Sequence, residues 1–209
     1  NIIAEMSGKG ISTSQARPLC LLLGDVAGEG VNADSVACMM RESITSMNKE
    51  DVRGAIRGLF LWCVLGSQGR LTMPPADLTA EIVRRILARR QPGLDAALEY
   101  TSYLIKRVPT LFGENHIDHL ILALEYLAGE TELSIVQSAQ SDAELQRVIS
   151  HEDRPRYRSL AGGMAYEIGC MLKSRGAELP LQVIRWKNIC EHDVLPEVRN
   201  AWPDEVANL

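Results

Sequence analysis

The chain has 209 residues, 46% of them apolar, with mean hydropathy near zero, which is enough for a real core in one large domain or two to three small ones. Its formal net charge of -5 excludes a protein whose whole surface coats nucleic acid. The longest apolar stretch, residues 59–65, is far short of the roughly 20 residues a bilayer-spanning helix needs.

Apolar positions recur at i, i+3 and i+4 rather than alternating, so the elements are predicted to be helices. A first helix covers residues 15–23 and stops at Gly24. A second opens at Asn32 or Asp34, either able to cap free backbone N–H groups, and buries Val36, Met39, Met40 and Ile44. Asn48 caps a third, which carries Val52, Ile56, Leu59, Phe60 and Cys63 on its apolar side and ends at Gly66. The fourth starts between Pro75 and Asp77 and continues to Arg90 through Leu78, Ile82, Ile86 and Leu87. Gln91, Pro92 and Gly93 break it. A fifth helix covers residues 94–107 and halts at Val108 and Pro109, and a sixth covers residues 115–128 with Gly129 as terminator. Residues 130–150 weaken into short helical pieces, followed by helices over residues 154–173, 181–191 and 196–202.

The expected fold is therefore all-α, with two N-terminal helical bundle subdomains and a C-terminal helical domain. The composition breaks place an N-terminal subdomain at residues 1–90, a middle one at 91–140, and a linker with the C-terminal domain at 141–209. A HEAT-like helical interaction scaffold is the alternative, suggested by short matches at residues 193–199 and 51–55. Such short matches set no repeating period.

Five cysteines, Cys20, Cys38, Cys63, Cys170 and Cys190, lie far apart with no C-x-x-C pair, which suits reduced, buried thiols. Residues 1–14 show no basic start followed by an apolar core, so a cytosolic origin is expected. The glycine-rich run from Gly24 to Gly30 holds two acids and no Lys-Ser/Thr, so it is read as a helix-joining turn rather than a phosphate cradle. His116 and His119 are three apart on one helix, but a closed metal site needs more partners than their neighbourhood offers, and no metal or cofactor is expected. Arg185 and His192 have the loose spacing of certain helical RNases, yet Trp186 fills a position usually polar in that motif. No nucleophile with a base can be assembled, and the chain is expected not to be an enzyme.

The cations say more. Arg84, Arg85, Arg89 and Arg90 sit at i, i+1, i+5 and i+6 on the last turns of the fourth helix, and Lys106 and Arg107 end the next. At helix C-termini they complement the macrodipole. They are equally suited to meet phosphates or anionic lipid headgroups from an otherwise acidic body, and these six are the expected membrane- or phosphate-binding residues.

Several segments in order resemble the matrix proteins of influenza-like orthomyxoviruses. Leu-Gly-Asp-Val-Ala-Gly from Leu23, followed by Ala-Asp-Ser-Val-Ala-Cys-Met-Met from Ala33, resembles that family's turn into its second helix. Gly-Ala-Ile-Arg-Gly-Leu-Phe from Gly54 is similar to its Gly-Ile-Leu-Gly-Phe helix, and Leu-Thr-Met-Pro from Leu71 to its Leu-Thr-Val-Pro exit. Ile-Ser-His-Glu-Asp-Arg from Ile149 resembles the segment that opens the family's last domain. The likeness runs from about Leu22 to Ile184. It implies a virion structural protein that self-associates into a layer beneath the envelope, binds anionic membrane and links it to the viral ribonucleoprotein. The compartments implied are the virion, the host cytoplasm and the inner face of the plasma membrane, with direct RNA contact and the nucleus as further options. There are departures from the family pattern. Its basic run on the middle helix survives only as Lys106 and Arg107, with Tyr103 and Leu104 in matching positions, and its triple arginine falls on Thr79, Ala80 and Glu81. Residues 130–150 hold no Cys or His, so zinc binding does not carry over.

Overall fold

A computed structural model describes residues 33–87, 93–138 and 154–203. The predicted helix over residues 15–23, the turn from Gly24 to Gly30, Cys20, Arg89, Arg90 and the segment 149–153 lie outside the described residues. The chain is all-α: the described residues form eight α-helices and one 3-10 turn, with no strand among them. It divides into two units, residues 1–116 and 117–209.

In the first unit, α1 (Ala33–Thr45) buries Val36, Met39, Met40 and Ile44, the stripe its spacing predicts. Helix α2 (Lys49–Ser67) begins at Asn48, whose side-chain oxygen accepts from the Glu50 N–H at 3.0 Å. That bond satisfies one of the donors a helix start leaves open. Val52, Ile56, Leu59 and Cys63 are fully buried, whereas Phe60 is only half-buried. The helix runs just past Gly66, and the chain turns at Gly69, whose φ of 70° suits a residue without Cβ. Trp62 donates its indole N–H to the Thr72 carbonyl at 2.7 Å, drawing the following loop back onto α2. Helix α3 (Ala76–Leu87) buries Leu78, Ile82 and Ile86. Helix α4 (Leu94–Arg107) has the bounds its sequence predicts. The Pro109–Leu111 turn follows, and Phe112 behind it is buried.

These four helices close on themselves. Helix α1 packs on α2, α2 on α4, α4 on α3, and α3 back on α1. Each therefore buries its apolar stripe against two neighbours, the arrangement of a bundle. The Gln-Pro-Gly sequence at residues 91–93 predicts a subdomain boundary at residue 90, but α3 and α4 on either side of it share this one core. A local Pro-Gly signal carries no information about where the next apolar stripe docks.

The second unit takes most of α5 (Glu114–Ser138), then α6 (Arg154–Ser174), α7 (Leu181–His192) and α8 (Pro196–Arg199). Gly129 does not end α5. It keeps a helical backbone, since the positive-φ glycines among the described residues are Gly69, Gly93 and Gly176. A helical glycine costs only about 1 kcal/mol relative to alanine. Trp186 of α7 is fully buried and donates its indole N–H to the Leu124 carbonyl at 2.8 Å, while Gln182 reaches Glu125 at 2.7 Å. Asp193 ties the remaining helices together. Its carboxylate accepts from Arg158 Nε of α6 at 2.8 Å and from the Leu195 N–H at 2.9 Å, and its carbonyl accepts from Arg199 of α8 at 2.7 Å.

The thiols divide. Cys63 and Cys190 are buried as expected, but Cys38 is exposed and Cys170 intermediate, because both stand off the inward stripe of their helices. All four are free. Burial, with Asp193 and then Glu191 adding to it, pushes the Cys190 thiol up to about 12.

Three substitutions test this packing by urea denaturation. Asp193→Ala leaves the Arg158 guanidinium, 12% exposed, without its carboxylate, and a loss of about 3–5 kcal/mol is expected. Gly93→Ala at φ 81° would also drive a Cβ into Val52, whereas Gly69→Ala at φ 70° meets nothing within 4 Å. The second is expected to cost about 1–2 kcal/mol for the left-handed backbone alone, and the first clearly more. Equal losses would show that Val52 yields freely.

A candidate cationic groove on the first unit

Helices α2 and α4 run in the same sense. Near their starts Val52 abuts Gly93 and Arg53 donates to Asp95 at 2.6 Å, and further along Phe60 meets Tyr100 and Tyr103. The Asp95 carboxylate, 3% exposed, lies on the first turn of α4, where the helix dipole favours a negative charge. This junction fixes the register, so the helical spacing beyond it decides which side chains meet. On α2 that face carries Arg57, Phe60 and Leu61, one and two turns after Arg53. On α4 it carries Tyr100, Tyr103 and then Lys106 and Arg107.

These seven residues line a groove of about 430 Å³. Its wall is a cluster of three rings. Phe60 lies 5.4 Å from Tyr100 and 6.0 Å from Tyr103, and the two tyrosines are 6.0 Å apart at 75°. Such tilted and edge contacts are the favoured aromatic geometry. Arg57 is half-buried, and Lys106 and Arg107 are exposed on the last turn of α4. Among the described residues neither Arg57 nor Arg107 has a carboxylate within ion-pair distance. Burial pushes the Tyr100 phenol up, against the opposing charge of Arg57. Tyr103 is also pushed up, by burial and then by Glu99, whose carboxylate accepts its hydroxyl at 3.4 Å. The groove thus offers positive charge, neutral hydroxyls and ring edges in one hollow, a combination suited to an anion with a ring attached.

The six arginines and lysines singled out from the sequence do not gather into this site. Lys106 and Arg107 line the groove. Arg84 is exposed on α3 and pairs with Glu81 at 3.1 Å. Arg85 corrects the expectation of a surface cation: it is 5% exposed and donates to the Ser46 carbonyl just beyond the end of α1. Burial lowers its pKa, with Glu81 opposing. A cation there complements the C-terminal end of α1, so Arg85 holds the fold and presents no charge to a ligand. Arg89 and Arg90 lie outside the described residues. Comparison with protein-family models, curated proteins and solved structures finds no match for this chain.

Sequence reasoning missed Arg57, Phe60 and Tyr100, and treated Tyr103 only as a lost cation. A signal was present: Tyr100, Tyr103 and Arg107 at i, i+3 and i+7 share one helix face, in a chain with only 5% aromatic residues. The other candidates stay dispersed. His116 packs edge-on against Phe112 with centroids 6.4 Å apart, His119 is exposed, and no metal-binding group of side chains occurs among the described residues. Trp186, next to Arg185, is wholly buried, and His192 Nδ1 lies 2.9 Å from the Asn188 carbonyl.

The two phenols make the groove measurable. Above the ordinary phenol value of about 10 the unfolded chain loses these protons before the folded one does. The stability they contribute is whole below that pH and declines as pH rises through their raised values. Alkaline spectrophotometric titration is expected to show a late-titrating phenol that Tyr100→Phe removes, and a Tm that falls less steeply above pH 10 in that variant. A normal titration of all tyrosines would contradict the buried wall.

Proposed function

We propose that this chain is a virion matrix protein of the orthomyxovirus kind, a structural layer protein that adheres to anionic membrane and connects it to ribonucleoprotein. The single observation that carries the membrane part is the convergence of Arg57, Lys106 and Arg107 on one face of a chain whose net charge is -5. The ordered run of matrix-like segments, from Leu-Gly-Asp-Val-Ala-Gly at Leu23 to Ile-Ser-His-Glu-Asp-Arg at Ile149, supports the viral part. The all-helical fold is compatible with it. No helix among the described residues is long and apolar enough to cross a membrane, and the proposed adhesion uses surface groups.

Each basic residue near an anionic leaflet contributes roughly 1 kcal/mol, so three give a weak, reversible hold for one subunit. Laid side by side in an oligomeric layer, many weak holds become stable adhesion. Attraction of this kind is screened over a Debye length of about 10 Å at 0.1 M salt. The bond should therefore weaken as salt is raised.

The test is cosedimentation of the full chain with phosphatidylserine vesicles across a salt series. Binding at low salt is expected, falling as salt rises, and the triple change Arg57→Glu, Lys106→Glu, Arg107→Glu is expected to abolish it. Arg85 is left untouched, since reversing a buried charge would unfold the bundle and mimic a binding defect. Unchanged binding by a folded triple variant would remove the groove from the membrane contact. Absence of binding by the parent chain would remove the membrane role itself.

A further inference from the structure

Attraction to a flat anionic surface needs cations but no hollow. Here Arg57, Lys106 and Arg107 border a cavity of about 430 Å³ walled by Phe60, Tyr100 and Tyr103, a size within the roughly 300–1,000 Å³ of small-ligand sites. We propose that the groove is a pocket for the phosphorylated ring-polyol headgroup of a phosphoinositide lipid. The inference rests on the membrane-binding reading above and specifies its ligand.

Charge is the first reason. A phosphomonoester carries about -1.5 to -2 near neutral pH, so one or two of them match three clustered cations, where a serine headgroup brings a single net negative charge. The arginine forks can bind phosphate oxygens in bidentate fashion. Arg57 is half-buried against the rings, which shields its charge from solvent more than that of the exposed Lys106 and Arg107.

Ring geometry is the second reason. A polyol ring shows C–H groups on its faces and hydroxyls at its edge, and the groove answers with aromatic carbon, the Tyr100 hydroxyl, and the Tyr103 hydroxyl, whose proton goes to Glu99 and whose oxygen can still accept. A nucleobase would want an open flat slot. The three rings instead lean on one another at 39° to 75° with centroids 5.4 to 6.0 Å apart, so no two of them form a parallel pair to sandwich a base. Tyr103, 45% exposed at the rim, has the amphipathic ring that settles at headgroup level.

The experiment compares flotation of the full chain on phosphatidylcholine vesicles doped with phosphatidylinositol bisphosphate and on vesicles doped with phosphatidylserine to equal total charge. Soluble inositol trisphosphate and a single-stranded RNA oligonucleotide serve as competitors. Binding about tenfold tighter to the phosphoinositide vesicles, displaced by inositol trisphosphate, is expected. Arg57→Gln and Tyr103→Ala are each expected to erase that preference while thermal melting shows both variants folded. Equal binding to the charge-matched vesicles overturns the headgroup pocket and leaves the membrane reading standing, whereas no binding to either overturns both. Binding of soluble inositol trisphosphate without vesicle binding assigns the pocket to a free polyphosphate and overturns the lipid source. Displacement by RNA and not by the headgroup overturns the proposal in favour of nucleic acid.

Discussion

Arg53 and Asp95 meet where α2 and α4 begin, and everything further along that helix pair depends on the meeting. A buried carboxylate is costly unless it is paired, so the pair admits one register between the two helices. Gly93 adds a steric condition, since its missing Cβ lets Val52 seat beside the start of α4. With register and separation fixed at one end, helical periodicity carries Arg57, Phe60 and Leu61 alongside Tyr100 and Tyr103. The groove is therefore a consequence of how the bundle is locked, one to two turns from the lock itself.

The same logic explains why so few cations are available to a ligand. Arg41 is held by Asp77, which raises its pKa chiefly through their hydrogen bond, and Arg53 is held by Asp95 and Glu50. Arg84 pairs with Glu81, Arg158 with Asp193, and Lys187 with Glu191. Most of these pairs lie at least partly at the surface, where each is worth little. Their effect on the surface potential is greater than their effect on stability, because they cancel local charge. An acidic chain can then show a positive region only where carboxylates are kept away, and among the described residues none lies within ion-pair distance of Arg57 or Arg107.

In the second unit the polar groups serve cohesion. Asp193 receives hydrogen bonds from α6 and from the start of the next turn, and its carbonyl receives one from α8. Trp186 seals the same unit with its indole on the Leu124 carbonyl. The buried acid of the first unit sets up a surface feature, and that of the second joins the long α6 to the turn at Leu195 and to the short α8. Under the proposed reading, membrane contact belongs to the first unit.

Local patterns determined the elements. The 3.6-residue spacing of Val36, Met39, Met40 and Ile44, the cap at Asn48, the start of α4 after Gly93 and its stop before Pro109 are encoded by neighbours within a turn or two, so they are legible in the chain as written. Only tertiary structure decided three other matters. Gly129 stayed inside a helix, where a lone glycine costs only about 1 kcal/mol relative to alanine. Arg85 went inward because the end of α1 supplies a carbonyl 39 residues away in sequence, and no local count of charges reveals that. Phe60 and Arg57 joined Tyr100, Tyr103, Lys106 and Arg107 because two helices separated by a third pack in parallel register, a long-range choice set by Arg53, Asp95 and Gly93.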